Sequence, residues 1–178
     1  MVICHPHPLY GGSMSNNVVE AIESGFAARA FSTLKFNFRG VGGSAGEYDE
    51  GEGEVGDVVA AVDFLKQHID GDAGIILAGY SFGAWIAARA TARMRDVGTL
   101  FIVAYPFAFY GSDELKQFGK RTYLIGGQYD DISPVESLLK VYKEIPMLEK
   151  NLKIIPTDHF YGGKAGEIAE FIKESFEP

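Results

Sequence analysis

The stretch Gly74-Ile75-Ile76-Leu77-Ala78-Gly79-Tyr80-Ser81-Phe82-Gly83-Ala84-Trp85-Ile86-Ala87-Ala88-Arg89-Ala90 changes character at its centre. Up to Ala78 it is an apolar run of strand length, and from Ala84 it is alanine-rich, as a buried helix is. No loop separates the two, so the chain must pass from strand to helix within Gly79-Tyr80-Ser81-Phe82-Gly83. In so sharp a turn, a side chain at either glycine would strike the neighbouring strand or the incoming helix. Ser81 is thereby placed at the carboxyl end of a strand, above the positive end of a helix, where a hydroxyl can attack a substrate. The same G-x-S-x-G spacing occurs at Gly42-Gly43-Ser44-Ala45-Gly46, but no helical pattern opens there. With 22 glycines in 178 residues the spacing alone is weak, and the strand-to-helix context singles out Ser81.

Outward from this junction, apolar runs of strand length alternate with helical patterns to both ends of the chain. That alternation is the signature of a parallel α/β sheet with helices on both faces. The patterning predicts strands at Val2–Cys4, Thr33–Phe38, Ile75–Tyr80, Thr99–Ala104, Thr122–Ile125 and Leu152–Ile155. It predicts helices at Asn16–Arg29, Glu54–Gln67, Phe82–Met94, Pro134–Glu144 and Ala165–Phe176. At about 150 residues per domain, the length predicts one domain over 1–178.

Composition removes several classes of function. Sixteen basic against 24 acidic residues leave a net charge of −8, which argues against nucleic acid and anionic membrane surfaces and favours small-molecule partners. Near-continuous apolar sequence reaches only from Leu100 to Phe109, is broken by Pro106, and falls well short of the roughly 20 residues a membrane helix needs. The single cysteine, Cys4, excludes an internal disulfide and a cysteine-based zinc site. No charged-then-apolar leader precedes Val2, so the expected location is the cytoplasm. Six acids crowd Glu47 to Asp57 (Glu47, Asp49, Glu50, Glu52, Glu54, Asp57), reading as a solvated loop whose last acids favour the start of the next helix. Calcium-loop spacing is absent there. Gly40-Val41-Gly42-Gly43-Ser44-Ala45 fits a dinucleotide fingerprint in letters, yet no helix follows and the acids after it would repel a pyrophosphate. Arg39 is a candidate brace for this stretch through Glu54 or Asp57.

A serine hydroxyl needs a base to take its proton and a carboxylate to orient that base. Of the four histidines, only His159 follows Ser81 at a strand end, since His68 falls at the end of a helical pattern and His5 and His7 lie upstream. The acid is sought after a strand between Ser81 and His159, and Gly127-Gln128-Tyr129-Asp130-Asp131 follows Thr122–Ile125. Asp130 comes first off the strand and is preferred to Asp131. His5-Pro6-His7 has a second reading as a metal pair, but no carboxylate cluster accompanies it in sequence.

Together, His5 to Val19 (HPHPLYGGSMSNNVV), Phe36 to Gly46 (FNFRGVGGSAG), Ala78 to Ala84 (AGYSFGA), Gly126 to Pro134 (GGQYDDISP) and Thr157 to Gly163 (TDHFYGG) resemble the α/β-hydrolases. The similarity is to the small bacterial serine hydrolases grouped near the dienelactone hydrolases. The resemblance implies a three-layer fold with a mainly parallel sheet of about six strands, in the order 2-1-3-4-5-6. It implies a Ser81, Asp130, His159 triad cleaving small carboxylic esters through an acyl-enzyme, with no cofactor and no metal. Dienelactone hydrolases proper use a cysteine where this chain has Ser81, so their substrate does not carry over. An oxyanion needs two N–H donors. Phe82 should supply one, and the loop His5-Pro6-His7-Pro8-Leu9 the other, from His7 or Leu9 because proline has no N–H. Relatives align best with His7. A thioesterase or a peptidase-like acyl hydrolase shares this machinery, and a non-catalytic interaction domain shares the fold.

Cap domains in this fold are inserted after the strand ending near Ala104, and Tyr105 to Lys120 is too short for one. The expected site is therefore open and shallow, with Tyr105, Phe107, Phe109 and Tyr110 as candidate lining. Relatives carry two further strands ahead of the one at Val2, so the expectation is a sheet shortened at its amino end. Its edge strand, Thr33–Phe38, is then apolar at Leu34, Phe36 and Phe38, which predicts a homodimer or poor solubility. A monodisperse monomer in light scattering at high concentration is the result that would contradict this.

Overall fold

The computed structural model describes residues 1–69, 74–146 and 149–176. Its centre is a six-stranded sheet of β1 (Val2–Cys4), β2 (Leu34–Lys35), β3 (Ile75–Tyr80), β4 (Val97–Val103), β5 (Arg121–Gly127) and β6 (Lys150–Ile155). The strands run in the order β2-β1-β3-β4-β5-β6, and every pairing is parallel. The helices are α1 (Asn17–Ala27), α2 (Glu52–Lys66), α3 (Phe82–Ala90), α4 (Asp113–Gln117), α5 (Val135–Glu144) and α6 (Gly166–Ser175).

Side chains alternate across a strand, so each strand feeds two cores. Val2, Cys4, Ile75, Leu77, Leu100, Ile102 and Leu124 face one core with Val55, Val58 and Val62 of α2, Ala84 to Ala90 of α3 and Leu138 of α5. Ile3, Ile76, Ala78, Phe101, Val103 and Ile125 face the other with Val18, Ile22 and Phe26 of α1 and Ile168 and Ile172 of α6. This is the three-layer α/β-hydrolase architecture expected from the sequence. Only the single-turn α4 lies in the connection between β4 and β5, so no cap domain covers the carboxyl ends of the strands.

The differences from expectation have local causes. β2 pairs over two residues instead of six, because β1 offers only three and the Phe38 N–H goes to the side chain of His5 at 3.0 Å instead of to a strand. Phe38 is fully buried and Phe36 packs on the core, so the edge is less apolar than the pattern suggests. Lys35 on that edge pairs with Glu23 at 2.6 Å. α3 stops at Ala90 and continues as a 3₁₀ turn over Thr91–Arg93 instead of running to Met94. α2 begins at Glu52 because the Glu54 carboxylate accepts from the backbone N–H of Gly51 at 2.9 Å and of Asp49 at 3.0 Å. Glu54 is thus fully buried, which corrects the reading of Glu47–Asp57 as uniformly solvated. Arg39 makes its brace to Asp57, with Nη2 to Oδ1 at 2.8 Å and its backbone N–H to Oδ2 at 3.0 Å.

The turn from β3 into α3 is as tight as the glycines require. A Cβ on Gly79 would lie 2.2 Å from the carbonyl oxygen of Gly83, and one on Gly83 would lie 2.4 Å from the carbonyl oxygens of Cys4 and His5. Both obstacles are backbone and cannot rotate away. Gly83→Ala is therefore expected to lower unfolding free energy by about 1–3 kcal/mol or more through overpacking. Gly43→Ala, whose Cβ would meet nothing within 4 Å, should stay within about 0.5 kcal/mol of wild type. Matching urea midpoints for the two variants would contradict the steric account.

Candidate active site

Ser81 sits on the turn with φ 54° and ψ −121°, a conformation that L-residues rarely adopt and that costs on the order of 1–3 kcal/mol. The surrounding fold holds it there. Its N–H continues the sheet by donating to the carbonyl of Val103 at 3.0 Å, and its own carbonyl accepts the first bonds of α3 from Ala84 and Trp85. The hydroxyl consequently stands at the carboxyl edge of the sheet, 9% exposed.

His159 reaches Ser81 from the loop after β6. Its Nε2 lies 2.8 Å from the Ser81 Oγ, and its Nδ1 lies 2.8 Å from Oδ2 of Asp130 on the loop after β5. The other Asp130 oxygen accepts from the backbone N–H of Ile132 at 2.9 Å and of Ser133 at 2.7 Å. Those bonds fix the carboxylate plane, so Oδ2 is left for the imidazole. With Nδ1 bound to a carboxylate, the neutral imidazole carries its proton there and presents Nε2 as an acceptor to the serine. Asp131 is exposed, so of the two adjacent acids only Asp130 joins the chain of hydrogen bonds.

Tyr80 had no signal in the sequence beyond its place beside Ser81. Its phenol donates to the carbonyl of His159 at 2.7 Å, tying the histidine's loop to the strand that delivers the serine. Burial, then the Asp130 carboxylate, pushes the Tyr80 phenol up, which keeps it a neutral donor. Tyr161, fully buried on the same loop, is shifted the same way for the same reasons.

The loop after β1 is organised by its two histidines in different ways. His5 is fully buried; its Nδ1 lies 2.6 Å from the Pro6 carbonyl and its Nε2 accepts from Phe38 N–H. Both ring nitrogens are therefore engaged, which leaves the histidine no lone pair for the metal reading of His5-Pro6-His7. Burial drives its pKa down to about 4, and the proton stays on Nδ1. His7 caps the 3₁₀ turn Pro8–Tyr10, its Nδ1 accepting from Leu9 N–H at 3.2 Å. Leu9 is thereby occupied. The backbone N–H groups of His7 and Phe82 have no protein acceptor among the described residues, and Phe82 opens a helix whose positive end points at the site. Cys4, buried in β1, has its thiol pushed up by burial and is no rival nucleophile.

A sequence model of the alpha/beta hydrolase family matches residues 2–169. The chain belongs to that family. Among solved structures, an alpha-beta serine hydrolase homologue from Coxiella burnetii is similar at 35% identity, covering 98% of this chain and 83% of its own, with a TM-score of 0.88. A serine hydrolase without a lid from Xanthomonas campestris is similar at 27% identity over 98% of this chain and 78% of its own, with a TM-score of 0.86. An uncharacterised protein of Rickettsia prowazekii is 30% identical over 97% of this chain and 76% of its own length.

In this hydrolase two surface clefts among the described residues lie away from Ser81. One, of about 620 Å³, is at the amino ends of the strands, lined by Ile75, Thr99 and Arg121, and the other, of about 460 Å³, is beside α4. Parallel sheets bind ligands at the carboxyl ends of their strands, so geometry and chemistry favour the open Ser81 face over either cleft. No described helix is long and apolar enough to cross a membrane. Of the candidate lining residues, Tyr105 belongs to the core, fully buried with its hydroxyl on the Gly111 carbonyl. Phe107 and Tyr110 are half-buried, and Phe109 is exposed.

His5 makes a stability prediction. Its folded value of about 4 lies below the 6.5 of a free histidine, so the unfolded chain takes up the proton first as pH falls. The stabilisation is complete above pH 6.5 and is lost progressively toward pH 4, amounting to about 3 kcal/mol. Urea unfolding at stepped pH should show a flatter decline over that window for His5→Gln than for wild type. Equal slopes would show that His5 is not buried neutral.

Proposed function

We propose that this hydrolase cleaves small, neutral carboxylic esters through a serine acyl-enzyme. The observation that carries the reading is the unbroken hydrogen-bonded chain from Ser81 through His159 to Asp130 at the open carboxyl edge of the sheet. Ser81 Oγ attacks the ester carbonyl as His159 Nε2 takes its proton. The imidazolium that forms is stabilised by the Asp130 carboxylate, which the Ile132 and Ser133 N–H groups hold in place. The tetrahedral oxyanion is received by the backbone N–H groups of Phe82 and His7, each such donor being worth about 3–4 kcal/mol in the transition state. His159 then gives the proton to the leaving alcohol oxygen, which departs and leaves Ser81 acylated. Water enters by the same route, His159 takes its proton, and collapse of the second tetrahedral species releases the acid and restores the serine. No metal or cofactor has a part in these steps. The small ester is the expected partner, and the likeness to serine hydrolases of 27% and 35% identity supports the class of chemistry.

The test is intact mass after exposure to a fluorophosphonate, together with ester kinetics. Wild type should gain one adduct, and Ser81→Ala none. Ser81→Ala and His159→Ala should lower kcat/KM by about three to six orders of magnitude, and Asp130→Asn by about four. Asp131→Asn should change it less than about threefold. A folded wild type that gains no adduct would remove the serine mechanism and leave an interaction domain. A panel of matched esters and thioesters separates the ester reading from a thioesterase.

A further inference from the structure

This inference rests on the serine acyl-enzyme reading and concerns the acyl half of the substrate. His159 must protonate the leaving oxygen, so the alcohol departs on the His159 side, beside the exposed Phe160 and Tyr129. The acyl substituent then takes the remaining tetrahedral position, away from His159 and beside the oxyanion that the Phe82 and His7 N–H groups receive. On that side four separate segments bring aromatic rings together. The Phe82 ring lies 4.7 Å from His7, 5.9 Å from Tyr48, 5.5 Å from Trp85 and 6.5 Å from Tyr110. Tyr10 stands edge-on to His7 at 4.8 Å, and Tyr48 lies 5.0 Å from the same ring. Phe82 is buried and forms the floor, while Tyr48, Trp85 and Tyr110 are half-buried and Tyr10 is exposed as the rim.

We propose that this aromatic wall is the acyl subsite and that it takes an uncharged aromatic acyl group in preference to an extended alkyl chain or an acyl group bearing a second carboxylate.

Four features support the assignment. The wall is stiff: Trp85 and Tyr110 stack at 3.8 Å with 12° between their planes, and Arg89 covers Trp85 at 4.8 Å while paired with Glu52. A fixed aromatic surface favours a planar guest, whose stacking adds to its burial, over a flexible chain that loses rotamer freedom. The hydroxyls of Tyr10, Tyr48 and Tyr110 make no hydrogen bond to described residues, so they are available to polar ring substituents. Burial, then the neighbouring Tyr110, Glu54, Glu50 and Tyr10, push the Tyr48 phenol up to about 12. That acidic surround, with Arg89 already engaged, repels a carboxylate. With no cap over the sheet, nothing encloses the far end of a long alkyl chain.

p-Nitrophenyl acetate, phenylacetate, hexanoate and hemiglutarate share one leaving group and isolate the acyl side. Wild type should show kcat/KM for phenylacetate about 3- to 10-fold above hexanoate, with hemiglutarate lowest of the four. Tyr48→Leu and Tyr110→Leu should each lower the phenylacetate-to-hexanoate ratio about threefold or more, read on enzyme that still takes up fluorophosphonate stoichiometrically. Full labelling with hexanoate equal to or above phenylacetate, or a ratio that neither variant moves, overturns the subsite and leaves the serine mechanism standing. Failure of folded wild type to label overturns both.

Discussion

The contact between the first turn of α3 and the carbonyls of Cys4 and His5 is the constraint on which the other features of this hydrolase depend. Because Gly79 and Gly83 have no Cβ, strand β3 can turn into α3 within three residues while touching β1 backbone to backbone. That approach sets Ser81 at positive φ with its hydroxyl above the sheet. It also puts Phe82 at the first position of α3, its N–H without a backbone acceptor among the described residues, and brings the loop after β1 alongside. Strain at one serine is thus held by two cores and by the sheet hydrogen bond to Val103.

The remaining members of the hydrogen-bonded chain arrive by sheet register. β5 and β6 lie side by side in parallel, with Gly127 opposite Ile155, so the loops that follow them leave the sheet at one level. A Cβ on Gly127 would come within 2.7 Å of the Thr157 carbonyl, so this glycine lets the two loops cross closely enough for Asp130 to meet His159. Tyr80 then links the loop after β6 back to β3. Both nitrogens of His159 and both oxygens of Asp130 have a defined partner, as an interior of low dielectric favours.

Electrostatics and aromatic packing divide the face of the sheet. On one side, His159 and Asp130 extend the hydrogen-bonded chain from Ser81. On the other, buried Glu54, the Arg39–Asp57 brace and the Trp85–Tyr110 stack stiffen the segments flanking the N–H donors. The acidic stretch that looked like solvated loop is in part internal scaffolding: Glu54 ties down backbone N–H groups and Asp57 holds Arg39 in place. The second G-x-S-x-G belongs to this scaffolding, since the Ser44 hydroxyl donates to the Asn37 carbonyl at 2.8 Å.

The two-faced strands and the elbow at Ser81 were legible because they follow from near neighbours in the chain, whereas the strand order was implied by the resemblance to the α/β-hydrolases. Apolar periodicity and the steric needs of a glycine are properties of a few consecutive residues, and tertiary packing only extended or trimmed the ends. β2 shrank for a reason no window of sequence contains, namely that a histidine 33 residues away takes the Phe38 N–H. The order serine, aspartate, histidine pointed to Asp130 and His159, and the folded chain brings both to Ser81. That Asp130 and not Asp131 meets the imidazole depends on a contact across 29 residues, and the serine contact on one across 78. His5 and His7 are alike in sequence, yet one is a buried neutral clamp and the other a loop cap, because only the folded chain decides which ring is stripped of water. By itself the sequence determined the fold and singled out the side chains that meet at Ser81; the tertiary structure decided their partners, since hydrogen bonds between distant segments are set by sheet register and burial.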